Sequence, residues 1–141
     1  MTSSGADYKE LEKLQGKLED LEKRKQEFIE GCARELAARL LRKVVKRTPV
    51  GIYTNGVVGG TLRRGWEPNW QMDVKRVGNE YVIDIINAVE YASYVEYGHR
   101  TPNHRGWVEG RFMLTISVNE VQNIAPKLLE KRLKEWIGGA M

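Results

Sequence analysis

"ADYKELEKLQGKLEDLEKRKQEFIEGCARELAARLLRKVVKR", residues 6–47, contains no proline and repeats apolar side chains in steps of three and four. That spacing puts these side chains on one face of an α-helix. The first members of the face are Leu11, Leu14, Leu18 and Leu21. It continues through Ile29, Ala33, Leu36, Leu40 and Val44. The sequence therefore predicts one long helix over residues 6–47.

The front of this helix carries a narrower apolar stripe than its second half. Cys32 and Leu41 widen the face where the helix is expected to meet the core. A narrow leucine seam is typical of a helix that packs on another helix. We interpret the stripe either as a contact with a neighbouring subunit, through Leu11, Leu14 and Leu18, or as a cover over the sheet of the same chain.

Length and composition limit the class of protein. The 141 residues have the length of one ordinary domain, so a single domain over residues 1–141 is predicted. The net charge of +4 is small, and acidic and basic residues are well mixed, so no strong positive field marks a nucleic-acid binder. Cys32 is the only cysteine, which excludes a disulfide within the chain. No apolar run approaches the roughly 20 residues of a membrane span, so folding in the cytoplasm without a membrane is expected.

Residues 48–65 are predicted to form a flexible arm or loop. Pro49 disfavours helical geometry at Thr48, and glycines recur at positions 51, 56, 59 and 60. Gly59-Gly60 is followed by "TLRR" and not by the Gly-Lys-Ser/Thr of a phosphate-binding loop, so nucleotide binding is not predicted. Long loops of this kind are usually functional or become ordered on binding.

A small antiparallel sheet and a short helix are predicted for residues 66–97. The strands are expected at Trp70 to Val77 and Tyr81 to Asn87, joined by a tight turn at Gly78-Asn79.

Residues 98–110 are predicted as a loop and residues 111–137 as the C-terminal helix. Within that helix Pro126 indicates a kink or a fresh start, and Gly138 is the expected stop. The predicted fold class is therefore α+β, with a long N-terminal helix, a small antiparallel β-sheet, a short helix and a C-terminal helix.

The segment "EYASYVEYGHRTPNHRGWVEGR", Glu90 to Arg111, is the richest in chemically active side chains. As a catalytic site it would use His99 and His104, as in a small metal-dependent nuclease. The two histidines lie five residues apart across Pro102, and a helical zinc pair needs a spacing of four with a glutamate between. The spacing therefore argues against catalysis.

The same segment can also be interpreted as a nucleic-acid surface or as a protein contact. Its arginines are interrupted by Glu90, Glu96 and Glu109, which disfavours a specific nucleic-acid groove but is compatible with a surface lining a DNA passage. Aromatic and arginine side chains are the types that anchor protein interfaces.

The spacing of "YASYVEYG" predicts how the short helix is oriented. Tyr91, Tyr94 and Val95 are spaced so that one helical face meets the core, with Tyr91 and Val95 as its anchors to the sheet, while Glu96 and Tyr97 point outward. Tyr94 is predicted at an interface, and the alternative is that it belongs to the core.

Two motifs resemble the neck proteins of long-tailed phages, also called minor tail or tail-component proteins. "KRTPVG" followed by "TLRRGW" is similar to the family's Pro-Val, Thr-Gly and Leu-Arg signature, and "EYASYVEYGHRT" is similar to its Tyr-Ala, Val-Glu-Phe/Tyr-Gly-Thr signature. The order of elements also matches. Two departures stand out: "GIYTNGVVGG" is interposed before Thr61, and Gly98 is followed by His99 and Arg100 before the threonine.

The resemblance implies an α+β fold and a structural virion protein at the head-tail junction, joining or completing head and tail, with no enzymatic activity and no cofactor. It implies a homo-oligomeric ring, expected to be six-fold, beside head-closure, tail-completion, tail-terminator or tail-tube proteins. Non-specific proximity to DNA is expected, and no membrane. The protein would be found in the virion neck or tail, and in the host cytoplasm during assembly.

The alternative is a tail terminator or tail completion protein that caps the tube, since both roles need ring contacts of the same chemical kind. A small metal-dependent nuclease is the alternative from another class. The residues predicted at subunit or partner interfaces are Arg63, Arg64, Trp66, Tyr94, Glu96, Tyr97, His99, Arg100, Leu11, Leu14 and Leu18.

Overall fold

A computed structural model describes residues 4–50 and 59–140, and the side chains of residues 8–50 and 59–139. Helix α1 spans Ser4–Arg47, which confirms the predicted long N-terminal helix. Of the predicted arm, residues 51–58 lie outside the described residues. The end of the predicted arm is not a loop but a single helical turn, α2 (Thr61–Arg64), and a 3₁₀ turn (Glu67–Gln71) follows it.

The C-terminal helix, α4 (Met113–Ala140), packs on the second half of α1. The cross-helix contacts run in order from Arg47 with Glu120, through Glu35 with Arg132, to Phe28 with Trp136. Because the α4 numbers rise as the α1 numbers fall, the two helices are antiparallel. The last turn of α4 therefore reaches only as far back along α1 as the residues just before Phe28.

The core lies where α1, α2 and the start of α4 meet. Its buried members are Leu41, Val44, Leu62, Trp66 and Met113. Val89 and Val95 pack against this cluster from the segment before the short helix and from that helix, α3 (Ala92–Tyr97). Trp66 is only 2% exposed. It was predicted at an interface, but it belongs to the core of the chain.

The first hairpin is shorter than predicted. Strands β1 (Lys75–Val77) and β2 (Glu80–Val82) pair antiparallel. Gly78 has a φ of 62°, so the turn lies at the predicted position and uses the left-handed backbone conformation that glycine tolerates. The strand predicted from Trp70 is wrong in its first part, because Trp70 belongs to the 3₁₀ turn.

The strand predicted to continue to Asn87 is also wrong beyond Val82. Residues 83–89 do alternate between partly buried and exposed, as the side chains of a strand would. However, the amide side chain of Asn69 bonds both backbone groups of Ile86, donating to its carbonyl (2.6 Å) and accepting from its N–H (2.9 Å). Asn87 donates to the carbonyl of Leu62 at 2.7 Å. Side chains thus satisfy polar groups that a neighbouring strand would otherwise satisfy.

A second antiparallel hairpin occupies residues 98–110, which were predicted as a loop. Strand β3 (Gly98–Arg100) pairs with β4 (Trp107–Glu109), with His99 opposite Val108. Gly98 has a φ of 88°, and a Cβ there would lie 2.5 Å from the carbonyl oxygen of Val108. This close approach requires glycine at position 98.

Helix α4 is one continuous helix, which corrects the expected stop at Gly138 and the alternative of a fresh helix start at Pro126. Pro126 lies inside it without starting a new helix, and Gly138 does not end it. The helix begins two residues later than predicted, after Phe112, whose φ is 47°. The fold class is α+β as predicted, with two small sheets in place of one. Among the described helices, none is long and apolar enough to cross a membrane.

Candidate assembly surfaces

Glu96, in α3, was predicted to point outward at an interface, but its side chain is buried. Its side chain is 5% exposed, and its carboxylate accepts hydrogen bonds from the backbone N–H groups of Leu114 (2.9 Å) and Thr115 (2.8 Å). The hydroxyl of Thr115 donates to it as well, at 2.7 Å. The first N–H groups of a helix have no partner within the helix, and the positive end of the helix dipole favours a carboxylate there. Glu96 therefore caps α4 and fixes α3 to it.

The Glu96 cap fixes the position of a group of exposed aromatic rings, which we call the aromatic face. Its members are Tyr94 (59% exposed), Tyr97 (63%) and Phe112 (39%), whereas Trp107 (56%) pairs with Arg100 and lies on the side of the second hairpin opposite His99. Tyr97 and Phe112 meet edge to face, with ring centroids 6.5 Å apart. The rings lie on a backbone tied together by the bonds from Arg111 N–H to Val95 O (2.7 Å) and from Phe112 N–H to Glu96 O (3.0 Å). The aromatic face is thus exposed and held in a defined geometry.

His99 lies at the edge of the aromatic face. Its ring centroid is 5.6 Å from that of Tyr94, and its Nδ1 is buried without a hydrogen-bond partner among the described residues. Arg100, Arg105 and His104 follow on the exposed end of the same hairpin. Across the described part of the chain, no three His, Cys, Asp or Glu side chains are grouped as metal ligands. The hairpin thus presents rings and cations to the solvent.

The motif "KRTP" and the motif "TLRRGW" meet in the structure, and their polar side chains are used inside the chain. The indole N–H of Trp66 donates to the Thr48 hydroxyl at 2.9 Å, and that hydroxyl donates to the carbonyl of Val44 at 2.6 Å. Arg63 donates to the carbonyl of Thr48 at 2.8 Å. The residue that sequence reasoning missed is Thr48, which is fully buried at the end of α1. These contacts join the end of α1 to α2 and Trp66, on the two sides of residues 49–60.

Arg64 differs from Arg63 in that it remains exposed. Its guanidinium donates to the carbonyl of Gly59 at 2.9 Å and lies 3.3 Å from the Thr61 hydroxyl. It is therefore the arginine of this motif that a partner could reach from solvent.

The projecting segment, residues 8–25, is the part of α1 that α4 does not cover. All of its side chains are exposed. At about 1.5 Å per residue, these 18 residues extend for about 27 Å. The leucine seam, defined as Leu11, Leu14, Leu18 and Leu21, is between 45% and 62% exposed. The interpretation of the stripe as a cover over the sheet of the same chain is therefore wrong, because no described residue covers it.

A second apolar stripe is exposed on α4. Leu129, Leu133 and Ile137 follow one another at steps of four and are 38% to 43% exposed. Trp136, in contrast, stacks on Phe28 of α1, with ring centroids 5.1 Å apart.

Cys32 is partly buried on the apolar face of α1. It lies near the Glu35–Arg132 ion pair, and burial, followed by the Glu35 carboxylate, raises the pKa of its thiol. A raised pKa keeps the thiol protonated at neutral pH, and a protonated thiol is a poor nucleophile.

Comparison with known protein families identifies a family whose sequence pattern this chain shares. The model of the family described as "Bacteriophage HK97-gp10, putative tail-component" matches residues 12–98. The match covers more than half of the chain and includes the leucine seam from Leu14 onward, both arginine-bearing motifs and α3. Searches of the curated proteins and of the solved structures gave no match.

Proposed function

Because this chain belongs to the HK97 gp10-like family of bacteriophage tail components, and is therefore a structural protein related to the phage tail, we propose that it acts at the head-tail junction. There it joins or completes head and tail as a subunit of the neck. The family is one of structural proteins, and we propose that the chain makes contacts and has no catalytic turnover.

The observation that carries this proposal is the aromatic face. Large exposed rings are unusual on a chain that remains a monomer, and tyrosine, tryptophan and arginine are the residues that dominate binding energy at interfaces. Three such rings stand on a backbone that the Glu96 cap and the β3–β4 hairpin hold in place. A rigid contact surface loses little conformational entropy on binding, which favours assembly.

The arrangement of exposed surfaces favours a ring. A closed ring is built from heterologous contacts, in which one surface of a subunit meets a different surface of the next. The aromatic face lies on α3 and the residue before α4, whereas the exposed stripe Leu129, Leu133 and Ile137 lies on α4 itself, so the chain has two different surfaces for such contacts. We propose a homo-oligomeric ring with six-fold symmetry, in contact with head-closure, tail-completion, tail-terminator or tail-tube proteins.

Proximity to DNA is proposed through the end of the second hairpin. Arg100, His104 and Arg105 are exposed there, and Glu109 follows in β4. A surface with both cations and a carboxylate lines a passage without binding it tightly, because the phosphate backbone is attracted by net positive charge. We expect weak DNA binding with no preference for sequence.

The test is electron microscopy of particles made when this gene alone is deleted, with complementation by the intact gene as the control. The neck proposal predicts filled heads lying apart from complete tails. Tails of abnormal length would instead indicate the tail terminator role and would overturn the neck proposal. Normal, infectious particles would overturn both structural roles.

The absence of turnover has its own test. Purified protein incubated with double-stranded DNA and Mg²⁺ or Mn²⁺ should leave the DNA intact. Cleavage that disappears in His104→Ala would contradict the proposal and favour a nuclease.

A further inference from the structure

The leucine seam repeats with the seven-residue period of a coiled coil. Leu11 and Leu18 occupy position a of the heptad, and Leu14 and Leu21 occupy position d. The next a position is Lys25, and the next d position is Phe28, which Trp136 of the same chain covers. The exposed seam is therefore two heptads long and ends where the body of the chain begins.

We propose that the leucine seam packs in parallel against the same seam of a second copy of this chain, forming a short two-stranded coiled coil. In a parallel pair, position g of one helix lies beside position e of the following heptad on the other. Lys17 is at position g and Glu22 at position e. Each helix would thus place its Lys17 next to the Glu22 of the other, giving two pairs of opposite charge. An antiparallel pair centred on the seam would bring the two Lys17 side chains together.

The helix needed for this contact is already formed. Starting a helix is the costly step, and extending one adds a hydrogen bond for each residue that is fixed. The projecting segment continues α1 without a break, and the second half of α1 is anchored to α4 by Arg47 with Glu120 and by Glu35 with Arg132. Pairing therefore aligns existing helices and does not require folding.

Lys25 marks the end of the seam. A single lysine at an a position is a feature that specifies the register and the number of strands of a coiled coil, because a charged side chain tolerates only arrangements that leave it in water. The Lys25 side chain is 57% exposed, and its ammonium lies 3.9 Å from the Glu22 carboxylate of the same helix.

The exposed stripe of α4 fits the leucine seam less well than a second seam does. Leu129, Leu133 and Ile137 repeat at steps of four only. A helix has 3.6 residues per turn, so a stripe with steps of four winds around its helix, whereas a heptad seam stays aligned with a similar seam. The second copy is therefore expected to contribute its projecting segment and not its α4.

This inference does not rest on the proposed function, and it is tested with the purified chain. In a Cys32→Ala background, Leu14→Cys places a single thiol at position d. Only a parallel pair in register brings this thiol next to the same thiol of the second chain. Mild oxidation with diamide should give a disulfide-linked dimer on a non-reducing gel. Lys9→Cys, at the outward position f, is the matched control and should give markedly less dimer.

Two results of the crosslinking experiment would overturn the parallel pairing. One is equal dimer from Leu14→Cys and Lys9→Cys. The other is a dimer that forms only when Leu14→Cys and Leu18→Cys proteins are mixed, because an antiparallel pair puts position 14 opposite position 18.

Charge reversal gives an independent measurement that keeps the seam intact. The dimer fraction is measured by size-exclusion chromatography with light scattering. Lys17→Glu should lower it, because residue 17 of one helix and Glu22 of the other would then both carry a carboxylate. The double variant Lys17→Glu with Glu22→Lys should restore it. Leu133→Gln should leave the dimer fraction unchanged, while Leu14→Gln should reduce it. No effect of Lys17→Glu, or an equal loss with Leu133→Gln, would overturn the proposal.

Discussion

The two halves of α1 have similar sequences and opposite surroundings. Both alternate leucines with charged residues, and both carry acid-first pairs four residues apart, such as Glu19 with Lys23 and Glu35 with Arg39. The second half buries Ala37, Leu41 and Val44 against the rest of the chain, whereas every side chain of residues 8–25 is exposed. Helical periodicity thus determines which side chains share a face, and the reach of α4 determines which of those faces is buried.

The largest expected difference between the two halves is in the free energy of unfolding after a leucine-to-alanine substitution in each. Leu41→Ala removes a side chain with 0% exposure and should lower the free energy of unfolding by about 2 to 5 kcal/mol through lost burial and a cavity. Leu14→Ala changes a side chain that is 52% exposed and should cost no more than about 0.5 kcal/mol. Urea denaturation at a protein concentration low enough to keep the chain monomeric measures both. Equal losses would show that the seam is covered within the monomer.

The same contrast is repeated between two carboxylates, the buried Glu96 of α3 and the exposed Glu109 of β4. Glu96→Gln removes the charge and turns an N–H₂ group toward backbone donors at the start of α4, so a loss of about 1 to 3 kcal/mol is expected. Glu109→Gln makes the same change at an exposed position and should stay within about 0.5 kcal/mol of the parent chain. Thermal unfolding followed by circular dichroism distinguishes them. An unchanged transition in Glu96→Gln would contradict the capping role.

The loss of stability on acidification should come from the packed half of α1 and not from the projecting segment. The hydrogen bonds from Arg132 are the main reason that the pKa of Glu35 falls from 4.5 to about 2. The folded state therefore binds the proton less tightly than the unfolded state, and this contribution to stability is complete above about pH 4.5 and is lost as the pH falls toward 2.

Glu120 acts in the same direction, because Arg47 and then Lys43 lower the pKa of its carboxyl group. Glu35→Gln should lower stability at pH 7 by about 1 kcal/mol, as is typical of a hydrogen-bonded pair that is partly exposed. It should also reduce the change in stability between pH 5 and pH 2. Glu19→Gln in the projecting segment is the control, and an equal effect of both variants would contradict the assignment.

The smallest effect on stability is expected at the aromatic face. Tyr94 is 59% exposed, so Tyr94→Asp should change the free energy of unfolding by no more than about 0.5 kcal/mol. The same variant should block particle assembly, because a carboxylate replaces an aromatic anchor at the proposed contact. Circular dichroism and complementation of the deletion measure the two effects. Loss of the folded signal would show that Tyr94 is needed by the core.

The fold could be predicted from the sequence where its signals are local and repeated. The leucine spacing was sufficient for α1, and Gly78-Asn79 was sufficient for the first turn. The extent of the strand after Val82 could not be predicted, because it depends on the side chain of Asn69, which lies 17 residues away from Ile86. The second hairpin was missed because its strands are three residues long and flank Pro102 and Gly106.

The candidate site was predicted less well, because burial is a property of the whole chain. Tyr94 and Tyr97 are exposed as expected. Glu96 was predicted at an interface because it stands between tyrosines. Trp66 was predicted there because tryptophan is common at interfaces. Their partners, Thr115 and Thr48, are 19 and 18 residues away, and no local pattern links such pairs.

The projecting segment also has a mechanical consequence. The segment is a helix of about 27 Å that is anchored at one end only, so a tilt of about 10° at the anchored end moves the other end by about 5 Å. That displacement equals roughly one helical turn, which is enough to shift a leucine out of register with a neighbour. The far end of α1 therefore amplifies small errors in the orientation of the body, so it can form its contact only between subunits that are already aligned.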